Sequence, residues 1–96
     1  MLEKIKKELL KVEHPEIRFN LVELGMIKNL RLNDKEVLLD LFLPFLNVPI
    51  KEQLIKMIET AIKKIDKDLN IKINIVEMNI KEKEEFMKMA RRGWKL

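Results

Sequence analysis

The sequence predicts one α/β domain of the α+β type, a two-layer sandwich with a small three-stranded sheet and helices on one face. Several segments repeat apolar residues at helical spacing, and others alternate apolar and polar residues as strands do. The 96 residues are 47% hydrophobic, which suffices for one modest core. We therefore expect residues 1–96 to form a single domain with the order helix, strand, strand, helix, strand, helix.

The first segment, MLEKIKKELLK, predicts an amphipathic helix. Its apolar face consists of Leu2, Ile5 and Leu9. Pro15 disfavours a helical conformation at His14, so the helix should end at about Glu13.

The next segment, PEIRFNLVELG, has apolar residues at helical spacing. They are Ile17, Leu21 and Leu24. This pattern favours a short second helix or a turn over a strand, with Gly25 as its C-terminal cap.

The segment MIKNLRLNDKEVLLDLFLP predicts a β-hairpin with its turn at Asn33, Asp34 and Lys35, because Asn and Asp tolerate left-handed conformations. The second strand carries four residues on one face: Val37, Leu39, Leu41 and Leu43. Leu30 and Leu32 should face the same core from the first strand. Asp40 belongs to the opposite face, where a solvated carboxylate is favoured over an acid–base group.

The clearest helix is PIKEQLIKMIETAIKKID, in which an apolar stripe runs the full length. The stripe comprises Ile50, Leu54, Met57, Ile58, Ala61, Ile62 and Ile65. Pro49 is compatible with a first turn, and Asn47 or Val48 should lie near the N-cap.

The alternation in LNIKINIVEM predicts a third, half-buried strand, and because a helix precedes it the sheet can be mixed. A final helix is expected over residues 80–92, ended by Gly93. Its apolar residues lie roughly in line: Ile80, Met87, Ala90 and Trp94.

Composition excludes several kinds of site. The chain has no Cys and a single His, so disulfides, thiolate metal sites and cysteine nucleophiles are ruled out, and neither a metal nor another cofactor is predicted. Neither a signal peptide nor an apolar run long enough for a membrane span is found, which favours the cytoplasm. The charged residues, 38% of the chain, are mostly interspersed Lys and Glu; this bias is thermophile-like and typical of a solvated surface.

Two groups of residues are candidates for a binding site. His14, beside Glu16, is either a metal or acid–base group or a polar loop residue that follows a helix. The loop between the second strand and the long helix contains an apolar run. Its candidate residues are Phe45, Leu46, Asn47 and Val48. None is a good nucleophile, base or metal ligand, so the loop either presents an apolar patch to a protein partner or folds against the sheet edge.

The C-terminal sequence MARRGWKL is a third candidate. Arg91, Arg92 and Trp94 could stack on nucleic acid or bind an acidic partner. The alternative is a helix terminus whose cations complement the dipole while Trp94 packs down. The sequence contains no Gly-rich phosphate loop and no Ser/His/Asp set, so catalytic residues are not predicted.

Several short motifs together resemble the iron–sulfur assembly domain of SufT/PaaD-like (MIP-type) proteins, over about residues 10–78. Pro15-Glu16 matches the family's Pro-Glu, and Leu24-Gly25 its Leu-Gly before a strand. Pro49 matches the Pro that follows the family's loop Cys. Two positions depart from the family: His14 stands in place of the Asp, and Val48 in place of the Cys.

The resemblance implies a non-enzymatic adaptor in iron–sulfur cluster assembly or delivery that lacks its own thiolate ligand. Implied partners are a P-loop cluster-carrier ATPase of the Mrp/ApbC type or iron–sulfur apoproteins, with His14 the one residue suited to a shared cluster. An alternative is a cluster-independent interaction module, such as a PaaD-like small subunit. A weak nucleic-acid binder is a third alternative, resting on the pI of 9.4 and the basic C-terminus. No membrane partner is expected, and an open sheet edge would allow a homodimer.

Overall fold

The chain folds around a three-stranded mixed sheet. A computed structural model describes residues 1–95. The elements follow the predicted order: α1 (Leu2–Leu9), β1 (Ile27–Asn33), β2 (Glu36–Leu43), α2 (Lys51–Lys63), β3 (Asn70–Glu77) and α3 (Ile80–Gly93). Strand β2 is central; β1 pairs with it antiparallel as a hairpin, and β3 pairs with it parallel after the α2 crossover. The predicted α+β fold class is confirmed.

One face of the sheet is covered by helices. The core side chains of β2 are all completely buried, whereas the alternate side chains are partly exposed. The fully buried set comprises Val37, Leu39, Leu41 and Leu43. They share one core cluster with Ile5 and Leu9 of α1 and with the buried stripe of α2. The apolar face of β2 and the apolar stripe of α2 therefore belong to one core, as the sequence predicts.

The predicted hairpin and its turn are confirmed. Asp34 has a φ of 60°, in the left-handed region that Asp tolerates, and Asn33 pairs with Glu36. A bulge interrupts β1 between Lys28 and Arg31, where Asn29 has a φ of 57°. Leu30 and Leu32 pack against the core, as expected, but remain partly exposed at this edge.

The predicted end of α1 at Glu13 is wrong, because the helix stops at Leu9. Beyond it the chain pairs with a later segment: the His14 N–H donates to the Phe19 carbonyl at 3.0 Å, and the Leu21 N–H donates to the Val12 carbonyl. These bonds between neighbouring segments satisfy the backbone outside a helix, which helical spacing alone does not reveal.

The second segment forms one capped turn, residues 21–25, rather than a helix. Asn20 and Glu23 exchange side-chain hydrogen bonds with each other's backbone N–H, as in a capping box. At the other end, the Met26 N–H donates to the Leu21 carbonyl across Gly25, whose φ is 75°. This Schellman geometry confirms Gly25 as the cap.

Two details of the later helices differ from expectation. The N-cap of α2 is Ile50, without a side-chain hydrogen bond, so Pro49 precedes the first turn, and Asn47 and Val48 lie near the cap without forming it. Helix α3 has the expected bounds to within a residue, but its buried face comprises Phe86, Ala90 and Gly93. Of the four apolar residues that lie roughly in line, Ala90 is buried, whereas Ile80, Met87 and Trp94 are exposed.

Candidate functional site

An apolar pocket of about 340 Å³ lies between the loop after β2, the segment around His14 and helix α3. Its volume is in the range of small binding sites. Of the residues singled out from sequence, five line it: His14, Glu16, Phe45, Val48 and Trp94. Leu46, Asn47, Arg91 and Arg92 are not among its lining residues.

The loop of residues 44–50 forms one wall. Phe45 and Leu46 are 52% and 50% exposed, whereas Val48 is partly buried and packs against the core. The Lys83 ammonium of α3 lies 4.9 Å from the centroid of the Phe45 ring, a cation–π contact between the two walls. The sequence left open whether this loop presents an apolar patch or folds against the sheet edge. Phe45 and Leu46 form an exposed patch, whereas Val48 folds inward.

His14 lies at the edge of the pocket and is 3% exposed. Its Nδ1 accepts a hydrogen bond from the Glu16 N–H at 3.0 Å, so the proton of the neutral ring resides on Nε2. An Asp side chain makes the same contact with the N–H two residues ahead in an Asx turn. His14 thus supplies the acceptor that an Asp would supply at the position where the resemblance places one.

The charge state of His14 is set by its surroundings. Burial lowers its pKa from the ordinary value of 6.5; Glu16 opposes this shift and Lys95 adds to it. In residues 1–95 every buried side-chain nitrogen or oxygen has a partner, and no hydrogen bond is found for Nε2. The Nε2–H therefore retains access to solvent, where it can donate to a bound group.

The C-terminal residues form a strap that holds Trp94 against the pocket. The Arg18 N–H donates to the Gly93 carbonyl at 2.6 Å, and the Lys95 N–H donates to the Glu16 carbonyl at 3.0 Å. Trp94 pairs with Ile17 as an isolated antiparallel bridge and remains 50% exposed. Trp94 was expected to pack against the fold as one alternative, but half of its surface is exposed to solvent.

Two partly exposed ion pairs lie near the site, and pairs of this kind contribute little to stability. Lys95 Nζ lies 2.9 Å from Glu13 Oε1, and Lys83 Nζ lies 3.5 Å from Glu77 Oε2. Arg91 and Arg92 are exposed and take part in none of the ion pairs within residues 1–95.

The structure adds residues that sequence reasoning does not assign to the site. Met26, Leu54 and Phe86 contribute apolar lining, and Met87, 45% exposed, forms part of the rim. The spacing of Phe86 and Ala90, four residues apart on α3, signals their shared face. No local pattern places Met26 beside them, because it reaches the pocket from the turn before β1.

The pocket offers apolar side chains, with the His14 Nε2–H as a hydrogen-bond donor at its edge. The chain has no Cys, and residues 1–95 contain no cluster of three His, Asp or Glu side chains able to hold a metal ion. Another concavity, about 390 Å³ between α1 and α2, is bordered by Lys and Glu side chains together with apolar ones and contains none of the candidate residues.

Comparison with known proteins decides the family. The model of a family described as iron–sulfur cluster assembly protein matches residues 2–79. The chain belongs to this iron–sulfur cluster assembly protein family. The match includes His14 and the loop with Val48, and the resemblance drawn from sequence motifs is confirmed at family level.

A solved structure has the same fold. A domain of unknown function, DUF59, from Bacillus anthracis superposes with a TM-score of 0.72 at 18% identity, covering 95% of this chain and 88% of that one. No curated protein gives a significant match. In the described part of this family member, no helix has the length and apolar character needed to cross a membrane.

Proposed function

We propose that this member of the iron–sulfur cluster assembly family is a non-catalytic adaptor that binds a protein partner at the apolar pocket. The observation that carries the proposal is the rim of half-exposed apolar side chains around that pocket. The rim comprises Phe45, Met87 and Trp94, and the exposed Leu46 follows Phe45 in the loop. Aromatic and Met side chains around a preformed apolar cavity are typical anchors of protein interfaces.

The same site lacks the means to hold a cluster alone. Iron–sulfur clusters are held mainly by Cys thiolates, and this chain has none; Val48 stands where the resemblance places the family Cys. The cluster is therefore cargo ligated by a partner's cysteines, and this chain positions the partner. The resemblance favours a P-loop cluster-carrier ATPase of the Mrp/ApbC type or an iron–sulfur apoprotein as that partner.

A partner-capture experiment tests the adaptor role. Tagged protein is incubated with native cell extract and the bound proteins are identified by mass spectrometry, using wild type, Phe45→Ser and Trp94→Ser. Leu10→Ser is the matched control, because Leu10 is 52% exposed like Phe45 but lies outside the pocket. Capture of a carrier ATPase or of iron–sulfur apoproteins by wild type and Leu10→Ser is expected.

Binding of the captured partner is then measured by titration calorimetry. Removal of an interface anchor costs about 2 kcal/mol or more, so each rim variant should bind at least about 30-fold more weakly. Equal binding by the rim variants and Leu10→Ser would place the interface elsewhere. Capture of an unrelated complex without cluster proteins would favour the cluster-independent, PaaD-like alternative.

Anaerobic reconstitution with iron and sulfide tests the absence of a self-sufficient cluster site. The wild-type chain should retain no stoichiometric iron. The double variant Val48→Cys, His14→Asp restores both residues that the resemblance implies and should gain iron binding, measured by absorption and metal analysis. Stoichiometric iron in the wild-type chain would contradict this assignment of the loop.

A further inference from the structure

Strand β3 forms one edge of the sheet, and within residues 1–95 no other segment pairs with its outer side. An edge strand presents a row of unpaired backbone N–H and C=O groups, which serves as a template for another strand. The direction of each backbone group of β3 determines whether it is free to bond to another chain.

The pattern of bonds to β2 identifies the free groups. At one end the Asn70 N–H donates to the Lys35 carbonyl at 2.9 Å, and at the other the Met78 N–H donates to the Leu43 carbonyl at 2.8 Å. In a parallel ladder alternate residues bond to the same neighbour, so the intervening odd-numbered residues direct their backbone groups outward. These residues are Ile71, Ile73 and Ile75.

The two edges of the sheet differ in protection. The β1 edge carries the bulge at Asn29, a feature that hinders edge-to-edge pairing. Strand β3 contains no Pro and keeps an unbroken register with β2 from Asn70 to Glu77. Its three Ile side chains pack against the core yet remain partly exposed, unlike the fully buried core residues of β2. The apolar layer is therefore incomplete at this edge.

We propose that β3 pairs antiparallel with β3 of a second copy, about a two-fold axis at Ile73, and joins the two three-stranded sheets into one. In this register Ile73 lies opposite Ile73 of the second copy, and Ile71 lies opposite Ile75. All are residues with outward backbone groups, so each opposed pair exchanges two hydrogen bonds. The Ile side chains extend the apolar layer of one subunit into that of the other.

The polar side chains of β3, on the sheet face opposite the three Ile residues, are also compatible with this pairing. Lys72 lies opposite Asn74 of the second copy, so no like charges are directly opposed. Within its own chain Lys72 Nζ is 3.1 Å from Glu36 Oε2, which compensates its charge beside the axis. A register centred on Lys72 would oppose two ammonium groups, which is destabilising in a sheet. A closed two-fold interface of this kind is the commonest arrangement of homo-oligomers.

Sedimentation equilibrium and amide hydrogen exchange by NMR test the proposal on the wild-type chain. The mass should rise with concentration from 11.5 kDa towards twice that value. In the dimer, exchange of the amides of Ile71, Ile73 and Ile75 should slow, and it should accelerate on dilution. The amides of Lys72 and Asn74, bonded to β2, should exchange slowly in both states.

A variant isolates the edge. Ile73→Pro removes an N–H that points away from β2, so the β2–β3 ladder keeps its bonds while the dimer is lost. Trp94→Ser, on the pocket rim, should dimerise like wild type. A monomer mass at every concentration would overturn the proposal. A dimer in which the amides of Ile71, Ile73 and Ile75 exchange at the monomer rate would also overturn it. Both outcomes are measured on the wild-type chain, so they test the proposal even if Ile73→Pro fails to fold.

Discussion

Acidification should destabilise this protein through His14, a buried side chain at the edge of the pocket. Its pKa in the fold is lowered from 6.5, chiefly by burial. The unfolded chain therefore takes up the proton first, and stability is lost as the pH falls through 6.5 towards the lowered native pKa. Well above pH 6.5 the imidazole is neutral in both states and contributes no pH dependence.

The expected magnitude follows from the contacts of the ring. Between the two pKa values a single proton changes the free energy of unfolding by about 1.4 kcal/mol per pH unit. In the neutral ring, Nδ1 accepts a hydrogen bond from the Glu16 N–H at 3.0 Å. Once Nδ1 is protonated it carries its own hydrogen and can no longer accept that bond. Loss of that hydrogen bond leaves the Glu16 N–H unsatisfied, which costs about 1–3 kcal/mol, and desolvation of the charged ring adds to this cost.

Urea unfolding between about pH 8 and about pH 5 measures this effect. The control is His14→Asn, whose side-chain oxygen can accept the Glu16 N–H but does not titrate. Both proteins share the same carboxylates, so the wild type alone should lose additional stability below pH 6.5. Parallel pH profiles for the two proteins would refute the role assigned to the buried imidazole.

Three further substitutions have defined outcomes in urea unfolding of the purified chain. Gly93→Ala should cost about 1–3 kcal/mol, because the new Cβ would lie 2.7 Å from Phe19 ring carbons; no loss would mean that the ring moves freely. Asn79→Ala should cost about 1 kcal/mol, since it removes the capping box with Glu82, and Asn79→Ser should restore most of it. Leu39→Ala should cost about 2–5 kcal/mol, because the side chain is completely buried in the central strand; a cost below 1 kcal/mol would contradict this burial.

The pocket shows where sequence reasoning about the site succeeds and where it stops. The apolar loop, His14 and Trp94 are conspicuous in the sequence because of their residue types and neighbours. Their convergence on one cavity depends on the strap between residues 16–18 and 93–95, which joins segments far apart in the chain. Such pairings have no local signature, so the sequence alone could not bring the three together.

Local patterns determined the elements of this protein. The alternation of β2 and the stripe of α2 predict strand, helix and buried faces, because side-chain direction follows backbone periodicity. The Asp34 turn and the Gly25 cap were equally predictable, since both conformations require residues that tolerate positive φ.

Tertiary contacts determined what local patterns leave open. Helix α1 stops at Leu9 because residues 12–14 hydrogen-bond to residues 19–21. Helix α3 turns Phe86 inward and leaves Met87 exposed, and Gly93 lies against the Phe19 ring. His14 is 3% exposed, and Lys95 of the strap donates to its backbone carbonyl at 3.3 Å. In each case the free energy comes from contacts between distant segments, which exist only once the chain has folded.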